Sequence, residues 1–383
     1  MIRKALFPRN SFGQSTLAPD PNFVTVLSMY AWMFFTVIWL QSFIGTFRTN
    51  VYIRGIYYTF VMRITQRRYE HFKDSIEDLI SRYREEFSVP VVTDWRDYEF
   101  LYKKRMMGIA MELRSMVDEF SSFVIEEFGR PSLLEAREKV FIILVKEIFR
   151  LSNRKAAYLL PLLGIEKEVS YKTVERLYSD PLVLMILNNL FVSSVRRKCI
   201  SSVDTSGDGT GYSITVTKHY RSVRERDGET VKEGKFVYSF ALMDLSTRMY
   251  VGYAVSVRSE MDAYHKALEM IGKMRLDLKS VRLDKYYSGQ SILEDFNENT
   301  RIFLIPKSNS RMRGRRGWKE MIRRFIDDPM NYLREYFKRN ASESGFSSDK
   351  RTTGGLIFQR RKDRKETSGF CKGLIHNLML LHG

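Results

Sequence analysis

The stretch Tyr336-Phe-Lys-Arg339-Asn-Ala-Ser-Glu343-Ser-Gly-Phe-Ser-Ser-Asp-Lys350 sets Tyr336, Arg339, Glu343 and Lys350 at offsets 0, 3, 7 and 14. At about 100° per residue, these four fall within about 60° of one another on an α-helix. One stripe then carries an aromatic ring, a guanidinium, a carboxylate and an ammonium. Gly345 and Ser347-Ser348 weaken a single straight helix after Glu343. Charged residues at this spacing also form solvated faces with weak ion pairs, so the stripe alone leaves both readings open.

The spacing resembles the Tyr-Arg-Glu-Lys signature of the insertion-sequence-four family of transposases, with all four residues and all three intervals matched. The resemblance covers about residues 199–383. It implies an RNase H-like α/β catalytic domain, a mixed sheet with helices, whose third acid is Glu343. Two aspartates must then end strands upstream. Asp204-Thr-Ser-Gly follows the family's first-acid pattern, and Phe303-Leu-Ile-Pro-Lys307 resembles the strand after the second acid.

The texture of the second half agrees with such a fold. Residues 199–203 read as a strand ending at Asp204, and Gly207, Gly209 and Gly211 as a turn before a return strand over 212–217. Strands over 236–244 and 248–257 follow, then a helix over 261–275. A strand over 280–283 ends at Asp284, and another covers 301–305. Late helices fall at about 318–325 and 331–343. On the resemblance, Asp204, Asp284 and Glu343 are the catalytic acids and hold two Mg²⁺ ions, with Mn²⁺ able to substitute. Hard oxygen ligands suit such ions, and a pair of them can stabilise both oxygens of an in-line phosphoryl displacement. Tyr336, Arg339 and Lys350 would grip phosphate and end nucleotides. Asp208 and Glu320 are rival acids. Asp208 lies on the expected glycine turn, and the flanks of Glu320 match no signature.

Between Asp284 and Glu343 there is room for only a short insertion, over 307–328. It is basic: Lys307, Arg311, Arg313, Arg315, Arg316, Lys319, Arg323 and Arg324, with Trp318 among them. Cations around an aromatic platform suit a DNA backbone and an unstacked base. Trp318 is also a natural core residue of the next helix. Arg360-Arg-Lys-Asp-Arg-Lys365 forms a second basic run, before an apolar helix over 370–381.

The first half reads as helical. A region over 1–90 precedes a second over 91–198, and the catalytic domain occupies 199–383. Residues 52–87 carry an amphipathic pattern, 90–97 suit a linker, and Gly129-Arg-Pro131 is a stop before Ser132. Three short helices over 138–180 resemble a helix-turn-helix, the last capped by Ser170 and offering Lys172, Thr173 and Arg176 to DNA. The uncharged stretch from Phe23 to Gly45 is long enough to span a bilayer, but its polar residues favour a buried helix.

The 383 residues carry a net charge of +18, with 44% apolar and 13% aromatic residues. A folded chain with that surplus favours a polyanionic partner. Two cysteines, Cys199 and Cys371, build neither a disulfide framework nor a zinc cluster and fit a reducing cytoplasm. No P-loop is present, so no nucleotide cofactor is expected. The resulting expectation is a cytoplasmic DNA transposase. It would cut the inverted-repeat ends of its element and join them to target DNA, as a homodimer in the active complex. A catalytically inactive DNA-binding protein of the same fold, or a membrane-anchored protein with a basic domain, are the alternatives.

Overall fold

A computed structural model describes residues 50–53, 56–59, 64–87, 94–122, 132–198, 200–214 and 236–382. The chain forms two compact units, Met1–Arg63 and Ile64–Gly383. The apolar stretch 23–45, Cys199, the break at 129–131 and the expected strand residues 215–217 lie outside the described residues.

In the first unit, β1 (Asn50–Ile53) pairs antiparallel with β2 (Ile56–Thr59), with Ile53 opposite Ile56. The helix expected from Tyr52 is thus replaced by a hairpin at its start. β-Branched and aromatic residues in Val51-Tyr-Ile53 and Ile56-Tyr-Tyr-Thr59 outweigh the helical periodicity.

The second unit opens with α1 (Gln66–Phe87) and α2 (Trp95–Ser121). Asp94 caps α2 by accepting from the backbone of Arg96 and Asp97, so part of the expected linker is helix start. Next come α3 (Ala136–Ile148), α4 (Asn153–Tyr158) and α5 (Tyr171–Leu177). Ser152 and Ser170 cap α4 and α5 through their hydroxyls. A further helix, α6 (Pro181–Arg197), follows with Asp180 as its cap and Pro181 in its first turn.

The sheet is built from β3 (Ser202–Ile214), β4 (Phe236–Asp244), β5 (Tyr250–Ser256), β6 (Asp277–Leu283), β7 (Arg301–Phe303) and β8 (Leu356–Ile357). Its order is β5-β4-β3-β6-β7, with β8 on the far end of β3. β3, β4 and β5 run antiparallel to their neighbours in turn, while β6 and β8 lie parallel to β3 and β7 parallel to β6. Asp244 closes the β4–β5 turn, accepting from Thr247 N and Oγ1 at 2.8 Å each.

One correction decides the site. Residues 202–214 are a single strand, not two strands around a glycine turn. The glycines serve close approach. A Cβ on Gly207 would lie 2.5 Å from a Leu283 methyl, and one on Gly211 would lie 3.2 Å from Phe236.

α7 (Glu260–Met274) covers one face of the sheet, with Ile271 and Ala267 against Gly252. Phe240 packs edge to face with Tyr264 and with Tyr287 within that layer, and the two tyrosine rings are tilted against each other. α8 (Arg316–Asp327) and α9 (Pro329–Phe337) lead to α10 (Asn340–Thr352) and α11 (Lys362–Leu381), which cover the other face. Gly369 and Gly373 of α11 meet Val255 and Tyr253. Each aromatic buried here contributes about 1.5–3 kcal/mol. No described helix is long and apolar enough to cross a membrane.

The opening stripe is also divided differently from expectation. The break falls at Lys338–Arg339, before Glu343, and α10 runs unbroken through Gly345. Gly345 sits where a Cβ would meet Met243 at 2.3 Å and the Tyr250 hydroxyl at 3.0 Å. Its missing side chain lets α10 lie down on the sheet.

Candidate active site

The parallel pair β3·β6 fixes which aspartates can meet. Asp204 is opposite Ser280, and Gly207 is opposite Leu283. Asp208 and Asp284 are therefore the next residues after the last β3–β6 pair, at the same depth, with Asp208 still within β3 and Asp284 just past the end of β6. Asp204 lies four residues back, about 13 Å along the strand. The expected pairing of Asp204 with Asp284 is not made; Asp208 takes that place. The reason is the continuous strand: pairing with β6 ends beyond Gly207, not before it.

Asp204 belongs to a satisfied polar bracket instead. Its carboxylate accepts from the Ser280 hydroxyl. Arg282 Nη1 donates to Ser280 Oγ at 2.6 Å, and Arg282 Nε to the Glu335 carbonyl at 2.9 Å. The Glu335 carboxylate pairs with Arg282 and Lys338.

The α9–α10 junction is pinned to β3 by Ser206, whose hydroxyl donates to the Arg339 carbonyl at 2.8 Å and meets Ser342 Oγ at 2.8 Å. This places the Arg339 guanidinium 2.8 Å from Glu343 Oε1 and 3.5 Å from Asp284 Oδ1. Two acids from two elements thus share one cation, and Asp208 on β3 lies near enough to feel its charge. Glu343 is 49% exposed and Asp284 36%, so both are open to a large substrate.

Asp208 is more enclosed, and its carboxyl is pushed up to about 6. Burial is the main cause, and the charges of Glu343 and Asp284 add to it. A bond from Gly209 N at 2.8 Å and the Arg339 charge pull the other way. This is the mark of acids sharing too little positive charge. Among the described residues, no three His, Cys, Asp or Glu side chains are drawn together closely enough to enclose a metal ion. The donor chemistry of Asp208, Asp284 and Glu343 nevertheless fits a hard divalent ion, since all three offer carboxylate oxygens.

The other expected site residues divide into available and enclosed groups. Lys350 donates to Thr210 Oγ1 at 2.7 Å, two residues beyond Asp208, and burial lowers its pKa. Lys307 donates to the Tyr286 carbonyl at 2.9 Å and lies over the Tyr286 ring. Arg313, Arg315 and Arg316 are exposed, with Arg315 paired to Glu294 and Arg316 to Glu320. Glu320 is thereby occupied on the outer face of α8. Tyr336 is only 3% exposed; it backs the Arg339 guanidinium rather than facing a phosphate. Burial pushes its hydroxyl up to about 12.

Trp318 is 1% exposed and donates its indole N–H to the Arg311 carbonyl at 2.8 Å. It is a core residue and offers no face to a base. The aromatic that is available is Tyr286, 53% exposed and two residues after Asp284, which the sequence reading passed over. In the second basic run, Arg364 is buried against Glu175 and Ser179, so only Arg360, Arg361 and Lys362 face solvent. On α5, Lys172 and Arg176 are exposed, while the Thr173 hydroxyl meets Ser170 Oγ at 3.1 Å.

No protein-family model matches the chain. A curated relative from Archaeoglobus fulgidus, described as a probable transposase for insertion sequence element ISA1214, is 40% identical over 321 residues. The match spans 82% of this chain and 96% of the relative.

Proposed function

The chain belongs to the family of insertion-sequence transposases that this relative represents, and we propose that it cuts and joins DNA with Asp208, Asp284 and Glu343 on an RNase H-like sheet. The observation that carries this reading is the pairing of Asp284 and Glu343 with Arg339, with Asp208 close enough to feel all three charges at the end of the β3–β6 pairing. The sheet order β5-β4-β3-β6-β7, antiparallel on one side of β3 and parallel on the other, supports the fold assignment. Tyr336, Arg339, Glu343 and Lys350 support membership of the insertion-sequence-four group.

The substrate is the element's inverted-repeat ends, bound by a homodimer so that both ends are handled together. Asp208, Asp284 and Glu343 would hold two Mg²⁺ ions, which supply Lewis-acid charge to the attacking and leaving oxygens. The chain's own part is positioning. Gly209 N–H orients the Asp208 carboxylate, and the turn after β6 orients Asp284. Ser206 and Ser342 hold the α9–α10 junction so that Glu343 faces both. Arg339 and Lys350 set cations on either side of the acids, where a scissile phosphate would bind. Exposed Arg313, Arg315, Arg316 and Lys319, with half-buried Lys307 beside them, extend the charge along the backbone of the DNA. Lys172 and Arg176 on α5 would read the ends in a groove, in a helix-turn-helix with a long connection.

The test is cleavage of a duplex carrying the element's end in Mg²⁺. Asp208→Asn should lower the rate about 10³-fold or more and leave end binding intact. Asp204→Asn should keep most of the activity that its fold retains. A dead Asp204→Asn beside an active Asp208→Asn would overturn the assignment.

A further inference from the structure

Behind the acids lies a buried contact that none of the steps above uses. The Tyr287 hydroxyl donates to Glu260 Oε1 at 2.5 Å. Tyr287 is 1% exposed, with its ring edge-on to Phe240 and close to Tyr264. Glu260 is the first residue of α7, directly after the Ser259 cap. Its carboxylate lies over Gly209, where a Cβ would be 2.2 Å from Glu260 Cδ and 2.3 Å from Oε1.

Both ends of this contact lead to a site acid. Asp284 caps the short 3₁₀ turn Lys285–Tyr287, and Tyr287 N donates to the Asp284 carbonyl at 2.9 Å. Gly209 directly follows Asp208 and donates its N–H to that carboxylate. A continuous path of contacts therefore runs from Asp284 through Tyr287 and Glu260 to Gly209 and Asp208. It crosses from the β6 turn to β3 by way of α7. Burial, the bond to Glu260 and the nearby carboxylate charges all push the Tyr287 hydroxyl upward, so it remains a donor at any working pH.

We propose that Tyr287 and Glu260 are positioning residues that set the spacing and direction of Asp284 relative to Asp208. The proposal rests on the acid assignment above. The ladder between the two strands ends at Gly207 and Leu283, so Asp284 leaves the sheet there while Asp208 stays on β3, paired only with Ala241 of β4. Beyond that pair no ladder bond fixes one against the other, and the Tyr287–Glu260 bond supplies the missing tie. Groups that hold the ligands of a metal commonly change its affinity about 10–100-fold when removed. Glu260 acts here as an acceptor rather than as a ligand, so a neutral acceptor should serve in its place.

The experiment measures Mn²⁺ binding to the full-length protein by calorimetry, end-DNA affinity, Tm, and the Mn²⁺ concentration that half-saturates cleavage. Tyr287→Phe should weaken Mn²⁺ binding and raise the half-saturating concentration about tenfold or more, with end-DNA affinity unchanged. Glu260→Ala should do the same, and Glu260→Gln should recover most of the loss. Tyr253→Phe is the stability control. It deletes a buried hydroxyl that donates to the Gly369 carbonyl at 3.0 Å, away from the acids. It should lower Tm without moving Mn²⁺ affinity. If Tyr287→Phe lowers Tm but leaves Mn²⁺ affinity alone, the pair is only structural and the proposal falls. It falls too if Glu260→Gln is as impaired as Glu260→Ala, which would make the Glu260 charge the active feature. Failure of the wild type to bind Mn²⁺ would instead count against the acid assignment.

Discussion

Asp204 and Asp208 stand on one strand and one face, four residues apart, and meet opposite surroundings. Asp204 is met by Ser280, behind which Arg282 and Glu335 close a buried bracket. Asp208 has one backbone donor and only the longer-range charge of Arg339, whose ion pairs go to Asp284 and Glu343. Its proton is correspondingly hard to lose. The difference teaches that an acid's residue type and strand say little about its role. What distinguishes Asp208 is the positive charge it still lacks. The same contrast recurs between the enclosed Trp318 and the open Tyr286.

That second contrast predicts the largest effect on stability. Trp318→Ala empties a fully buried site and should cost about 3–5 kcal/mol, read as a lower denaturation midpoint. Tyr286→Ala should change stability by no more than about 0.5 kcal/mol and weaken binding to single-stranded DNA by about 1–3 kcal/mol. Equal stability losses in the two variants would erase the distinction between enclosed and open rings.

A smaller effect is expected within the bracket. Asp204→Ala removes the charged acceptor of the Ser280 hydroxyl and should cost about 1.5–3 kcal/mol. Arg282→Met in the same background should add less than it costs alone, because the two share a network. Strict additivity would mean that the bracket is not one unit.

Much of the scaffold was legible in the sequence because its signals are local. Ser152 and Ser170 announce their helices, the β4–β5 hairpin follows from its apolar strands around Asp244-Leu-Ser-Thr, and the nearness of Glu343 to Arg339 follows from the spaced stripe. Which aspartate of β3 lies level with Asp284 was not legible. Gly207, Gly209 and Gly211 look like a turn in isolation, and only the neighbours Leu283, Glu260 and Phe236 show that they are clearance. Register is a property of two strands, so one strand read alone could not choose between Asp204 and Asp208. Trp318 failed for a similar reason. Its cationic sequence neighbours point outward while its own side chain fills the core. The split between α9 and α10 depends on Ser206 reaching the Arg339 carbonyl, a contact spanning most of the second unit's sheet in sequence.

The electrostatic half of the comparison is tested by pH, in the presence of a chelator. The Asp208 carboxyl is raised from its ordinary 3.8 to about 6 in the folded chain. A raised acid binds its proton more tightly when folded. The stability it contributes is therefore fully present below about pH 3.8 and is lost as the pH rises through about 6. Above about pH 7 the wild type carries an ionised, largely enclosed carboxylate beside Asp284 and Glu343. Asn at this position keeps an oxygen for Gly209 N–H and carries no charge. Asp208→Asn should therefore raise Tm at about pH 7.5 by about 2 °C or more. The gain should shrink as the pH falls through about 6 and disappear near pH 4, where the wild-type acid is itself largely protonated. Asp204→Asn should behave in the opposite sense at about pH 7.5 and lower Tm, because there the charge is what the Ser280 donor is matched to. A gain for Asp208→Asn that is absent at neutral pH, or constant down to about pH 4, would show that this carboxylate is as well satisfied as Asp204. The two aspartates of β3 would then differ in position alone.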